Sequence, residues 1–164
     1  MPKETGSFLD LARTGKLSPI HLGTSRAEGE QCLGRAPSWA LADHADVATI
    51  WRYGDIELYF DDEDRVYMLF SDHNDLCDGG ATWNIEPWII RAGLSQDAFE
   101  TELKSRKIGY RSVRPAYDPD QVVLITTAGA VYAFGHPNQP SYGRGSGLLS
   151  WHMSSCLHLH LEER

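Results

Sequence analysis

Between residues 49 and 71 the chain reads "TIWRYGDIELYFDDEDRVYMLFS", three runs rich in aromatic and β-branched residues, "TIWRY", "IELYF" and "VYMLFS". Breaks fall at Gly54-Asp55 and at Asp61 to Arg65, so the pattern predicts three consecutive antiparallel strands. In the second run Ile56, Leu58 and Phe60 share one face, and Glu57 and Tyr59 share the other, which is the signature of a strand buried on one side only. Strict alternation in the third run sets Val66 and Met68 on the buried side and leaves Tyr67 beside Tyr59.

Helix signals surround this sheet. In "SFLDLARTGKL" the apolar residues Phe8, Leu9, Leu11 and Ala12 suit a short helix with Ser7 as its N-cap and Gly15 as its stop. In "IHLGTSRAEGEQCLG", Ser25 followed by Glu28 is a capping box, and the helix it starts ends at Gly34 with Cys32 and Leu33 on its buried side. "IIRAGLSQDAFETELKS" follows the same grammar: Gly23 and Gly93 precede the capping residues Ser25 and Ser95, and Leu33 and Leu103 lie equally far along. "VVLITT", a turn at Gly129 and "AVYAF" then match "TIWRY" and "IELYF", and "LLSWHM" and "SCLHLHL" close the chain with further strand-like runs. The expected fold is α+β, with two tandem modules, residues 1–78 and 79–164, each of short helices on an antiparallel sheet and both fitting within one continuous domain.

The order "GTSRAEGEQCLG", a Trp and Tyr strand, then "IELYFDD" resembles the helix-loop-helix plus antiparallel sheet module of the BamE and beta-lactamase-inhibitor-protein type, the latter with two tandem modules in a chain of similar length. "WNIEPWIIRAGLS" together with "IWRYGDIELYFDD" is also similar to a group of small bacterial proteins found in toxin-immunity neighbourhoods. The second resemblance implies an immunity protein; the first implies a BamE-like assembly or scaffold module as the alternative.

Charge placement separates these functions. From Trp51 to Asp78 nine acids (Asp55, Glu57, Asp61, Asp62, Glu63, Asp64, Asp72, Asp75, Asp78) face two bases, Arg52 and Arg65, so this segment carries -7 of the total -8. Such a surface repels phosphate backbones and anionic lipids, which argues against nucleic-acid or membrane binding, and it attracts basic partners. The N-terminal residues lack a signal-peptide pattern and no run of about 18 apolar residues occurs, so a cytoplasmic protein is expected. Cys32, Cys77 and Cys156, odd in number and without C-x-x-C spacing, suit reduced thiols.

Four constellations invite chemistry, and each has a plainer reading. "SDHNDLCDGG" offers Asp72, His73, Asn74, Asp75 and Asp78 as ligands, but Cys77 stands where an EF-hand needs glycine, so a polar loop is expected and no metal. In "WHMSSCLHLH", Cys156, His158 and His160 would share a strand face near His152, yet no residue is present to orient a base or complete a zinc site. Gly143, Gly145 and Gly147 lack the Lys-Ser/Thr ending of a phosphate loop. The acids Asp61 to Asp64 sit in a connection open to solvent, and not in the apolar cleft that general acid or base chemistry needs. A small hydrolase therefore ranks last, with neither catalytic residue nor cofactor expected.

The reading that remains is a non-enzymatic immunity protein that covers the basic active-site cleft of a cognate toxin. Aromatic rings supply contact area and carboxylates steer encounter. The expected partner-binding residues are Asp55, Glu57, Tyr59, Asp61, Asp62, Glu63, Asp64, Tyr67, Asp72 and Asp75.

Overall fold

The computed structural model describes residues 3–72, 77–91, 93–135 and 147–154. Its first strand, β1 (Glu4–Ser7), leads directly into α1 (Phe8–Thr14). Ser7 starts that helix by accepting the Asp10 N–H, and Gly15 ends it at φ 72°, where its own N–H reaches the Leu11 carbonyl. Phe8, Leu11 and Ala12 bury along one stripe. α2 (Arg26–Leu33) opens on the expected capping box: Ser25 accepts from the Glu28 N–H, and the Glu28 carboxylate accepts from the Ser25 N–H at 2.8 Å. α3 (Gln96–Ser105) opens on Ser95 and buries Phe99 and Leu103. One expectation needs correction: α2 buries Gly29 and Leu33, and Cys32 is exposed. A single residue step turns a side chain by about 100°, enough to carry Cys32 off that narrow stripe.

The strands are β2 (Ser38–Ala40), β3 (Ile50–Tyr53), β4 (Ile56–Phe60), β5 (Val66–Ser71), β6 (Trp83–Glu86), β7 (Tyr110–Val113), β8 (Val122–Thr126), β9 (Ala130–Phe134) and β10 (Leu148–Ser154). Eight of them form one sheet in the order β2-β3-β4-β5-β10-β9-β8-β7, every ladder antiparallel. β1 and β6 make a separate parallel pair. The three strands read from residues 49–71 are present as β3, β4 and β5, and the hairpin around Gly129 as β8 and β9. Gly54 opens the two-residue β3–β4 turn at φ 58°, the positive φ that primed hairpin turns demand.

The sheet's two faces differ. Trp51, Tyr53, Ile56, Leu58, Phe60, Val66, Leu69, Leu124, Tyr132 and Trp151 belong to one core that also takes Phe8, Leu11, Leu33, Phe99 and Leu103 from the three helices. α1 reaches across to the later strands, since Phe8 meets Trp151 edge-on with ring centroids 4.9 Å apart. A Cβ on Gly15 would come within 2.9 Å of the Ala128 carbonyl, which is why a residue without one closes α1 there. On the opposite face Val123, Ile125, Val131 and Ala133 form a second, separate apolar cluster. β8 and β9 are accordingly buried at every position, the burial expected of strands that read as continuous apolar runs.

β5 corrects a second expectation. A register shift between Tyr59 and Phe60 pairs Tyr59 with Met68 and Phe60 with Val66, so two residues of β5, Tyr67 and Met68, follow each other on the open side. Met68 therefore joins Tyr59 and does not enter the core; the bulge breaks the period-two count that alternation assumes.

Candidate protein-binding surface

Pairing register sets the geometry of the open face. Arg52, Glu57, Phe70 and His152 lie in one row across β3, β4, β5 and β10, and Ile50, Tyr59 and Met68 lie in the next. Tyr59 is the hub: its ring meets Tyr67 edge-on at 6.2 Å and Phe70 at 6.5 Å. Its hydroxyl donates to Glu57 Oε2 at 2.7 Å, while the Arg52 guanidinium pairs with Glu57 Oε1. Burial first, and then the bond to Glu57, push the Tyr59 phenol up to about 12, so it stays a neutral donor at any physiological pH. Glu57 is thus committed on both oxygens, a fixed acceptor inside the face.

At one end of β4 the backbone N–H of Asp55 donates to the Asp78 carbonyl at 3.0 Å, and its carboxylate accepts from the Asp78 N–H at 3.3 Å. A shallow cavity of about 390 Å³ opens here, lined by Arg52, Gly54, Asp55, Glu57, Phe70 and Asp72. Three carboxylates and an aromatic ring around one guanidinium give this end an acidic, partly apolar lining.

At the other end, roughly 20 Å away by the rise of an extended strand, the acidic turn is built mostly for itself. Asp61 Oδ1 accepts the N–H groups of Glu63 and Arg65, both at 2.9 Å. Asp64 adopts φ 58° and lays its carboxylate on Arg26, with Nε and Nη2 at 2.9 and 2.8 Å. Arg26 also donates to the Ala45 and Ala48 carbonyls, at 3.2 and 2.9 Å, and stacks over the rings of Phe60 and Trp51. Arg65 Nη1 donates to the Gly23 carbonyl, and Gly23 N–H to the Val66 carbonyl, so the turn is stapled to the start of α2.

These contacts sort the residues expected from the sequence. Asp55, Glu57, Tyr59, Tyr67 and Asp72 come together on or beside the open face. Asp61 and Asp64 hold the turn, which corrects the picture of a freely solvated acidic knot: local backbone donors and one helix arginine engage them. Asp62 and Glu63 are exposed, and their carboxylates find no partner among the described residues. Asp75 lies outside the described residues, as do Gly143, Gly145, Cys156, His158 and His160. The residues that sequence reasoning missed are Phe70, Met68 and Arg26. Phe70 shares the parity of Met68, which alternation assigns to the buried side, so the pattern pointed the wrong way for both; Arg26 carries no signal, because its partner Asp64 stands 38 positions away.

The buried thiol of Cys77 lies 3.7 Å from Ser71 Oγ and is pushed up to about 11 by burial, the reverse of an activated nucleophile. Burial also holds the His152 imidazole below its usual value, favouring its neutral form. Among the described residues no group of three or more His, Cys, Asp or Glu is placed to hold a metal ion, and no helix is long and apolar enough to cross a membrane.

No protein-family profile matches this sequence, and comparisons with curated proteins and with solved structures find no match.

Proposed function

We propose that this chain is a cytoplasmic immunity protein that binds a cognate bacterial toxin and occludes its basic active-site cleft, without catalysis of its own. The observation that carries this reading is the half-buried strip of Tyr59, Tyr67, Met68 and Phe70 on an open sheet face, with acids at both of its ends. Rings held at fixed angles lose little freedom on contact, and carboxylates around them attract a cationic surface and select against anionic ones. The strip would fill the cleft, while Asp62 and Glu63 at one end and Asp55 and Asp72 at the other engage Lys or Arg on its rims. Glu57 orders Tyr59, and the loss of either would weaken binding by loosening the strip.

The same proposal takes the chain as two copies of one α-β module. Its support is the strand order, in which β2 to β5 and β7 to β10 are four-strand meanders that meet through their last strands, each preceded by a Ser-capped helix. On this view only the first copy's hairpin acquired or kept acids, and the matching hairpin of the second, which has none, carries the apolar cluster in their place.

Co-expression with the product of the neighbouring gene tests the function. The expected result is a stable complex, protection of the host cell, and an affinity that falls as salt rises. A protein that neither binds nor protects overturns the proposal.

A further inference from the structure

The open face continues past the aromatic strip, and its second half is closed. Register carries the row of Glu57 and Phe70 on through His152 of β10, Val131 of β9 and Ile125 of β8 to Arg111 of β7. Val123 and Ala133 pair with each other further along β8 and β9, on the same face. Val123, Ile125, Val131 and Ala133 all lie opposite the helices, yet they are only 3 to 8 % exposed, whereas Glu57 and Tyr59 on that face are half-buried. A sheet face reaches such burial only under a covering layer. Among the described residues, Val113 is the one partly buried hydrophobic side chain packed against this cluster, and it stands at the sheet edge on β7.

We infer that residues 155–164 of this chain form that layer, as a strap folded back from the end of β10. Apolar content selects them. Residues 1–2, 73–76 and 136–146, which also lie outside the described residues, hold one large apolar or aromatic side chain each: Met1, Leu76 and Tyr142. The closing run "SCLHLHLEER" holds three, Leu157, Leu159 and Leu161, and in an extended segment they share one side while His158 and His160 share the other. Topology and reach agree with this choice. β10 ends at Ser154, two residues past the row of His152, Val131, Ile125 and Arg111, so a chain that turns back there meets that row at once. From β10 to β7 is about 15 Å, three strand spacings, and a covering layer lies about 10 Å above the sheet. Residues 155 to 162, when extended, span up to about 26 Å, which is enough for both. Charge completes the fit: Glu162 and Glu163 follow the leucines directly and reach Arg111 at the far end of the row. Such a strap confines a partner to the aromatic half of the face; it stands apart from the proposed toxin binding, and its test uses the chain alone.

In the full chain, Leu159→Ala is expected to raise the unfolding equilibrium constant in urea about thirtyfold, as truncation of a core leucine does. His160→Ala, one residue on and facing away, is expected to change that constant less than about threefold. Binding of anilinonaphthalene sulfonate is expected to rise with Leu159→Asp, which sets a charge against the cluster, and to stay at the parent's level with His160→Asp. Arg111→Glu is expected to raise the unfolding constant about threefold, and Arg111→Glu combined with Glu162→Arg and Glu163→Arg to recover the loss. Leu159→Ala no more damaging than His160→Ala overturns the inference. So does Tyr142→Ser more damaging than Leu159→Ala, which assigns the cover to residues 136–146, and so does dye binding by the parent chain that grows on dilution, which assigns it to a second copy.

Discussion

Replacing Arg26 with methionine keeps an unbranched apolar stem, though a shorter one, and removes everything its charge does. Its guanidinium donates to the Ala48 carbonyl at 2.9 Å and to the Ala45 carbonyl at 3.2 Å, and only the latter keeps another donor, the Trp51 indole N–H at 2.7 Å. Orphaning one partly buried carbonyl costs about 1–3 kcal/mol. Losing the cation over Phe60 at 4.2 Å and Trp51 at 5.0 Å costs about 0.5–1 kcal/mol. The ion pair with Asp64 adds little, about 0.5 kcal/mol, because that carboxylate is 64 % exposed and well screened. The sum is about 3 kcal/mol, or roughly 6–12 °C in Tm for a chain of this size. Asp64→Asn preserves a residue that tolerates φ 58° and removes only the charge, so it is expected to cost about 0.5 kcal/mol. Urea unfolding followed by tryptophan fluorescence, run as a double-mutant cycle, measures both terms. Arg26→Met within about 1 kcal/mol of the parent, or Asp64→Asn as damaging as Arg26→Met, refutes the view that Arg26 acts mainly through buried carbonyls and rings.

If the proposed function holds, neutralising Asp62 and Glu63 together, as Asp62→Asn with Glu63→Gln, weakens binding of the proposed toxin partner about tenfold at low salt and leaves Tm within about 1 °C, by calorimetry and thermal melts. Tyr132→Phe removes a fully buried hydroxyl that has no hydrogen-bond partner among the described residues, and is expected to stabilise the chain by about 1 kcal/mol; a loss of that size in urea unfolding would show the hydroxyl to be satisfied. Above neutrality, burial keeps Tyr53, Tyr59 and Tyr132 neutral in the folded chain where an unfolded tyrosine ionises near about 10. Their contribution is therefore complete below that pH and is lost as pH rises through the value of about 12 held by Tyr59, so urea midpoints are expected to be flat to about pH 10 and to fall steeply beyond it. Thiol labelling of the native protein at mild alkaline pH, read by peptide mapping, is expected to modify exposed Cys32 and spare Cys77, whose buried thiol is pushed up to about 11.

Local order was legible in the residues. Ser7 and Gly15, Ser25 with Glu28, and Ser95 mark helix ends through bonds that span three or four positions, and such bonds can be read from a short window. Alternation gave β3, β4 and the sidedness of Glu57 and Tyr59, because a strand's period is a property of the chain itself, and the short apolar runs either side of Gly129 gave β8 and β9. The same window failed at Met68, where one extra residue in the ladder shifts the count, and at Cys32, where a two-residue stripe is too narrow to read.

Which acids are free was a tertiary decision. Asp61 and Asp62 are indistinguishable as letters, yet among the described residues one holds two backbone donors and the other none; Asp64 is engaged because α2 brings Arg26 beside it. The meeting of β5 with β10, the crossing of α1 onto Trp151, and the exposure of β2 as an edge likewise depend on pairings between distant segments. The sequence by itself determined the three helices with their caps, the strands β3, β4, β5, β8, β9 and β10, and a concentration of negative charge; it left β1, β2, β6 and β7 unread. Only the fold decided which side chains that charge reaches, because partners far apart along the chain are chosen by the sheet's register and the packing of its helices, and neither is written in any local pattern.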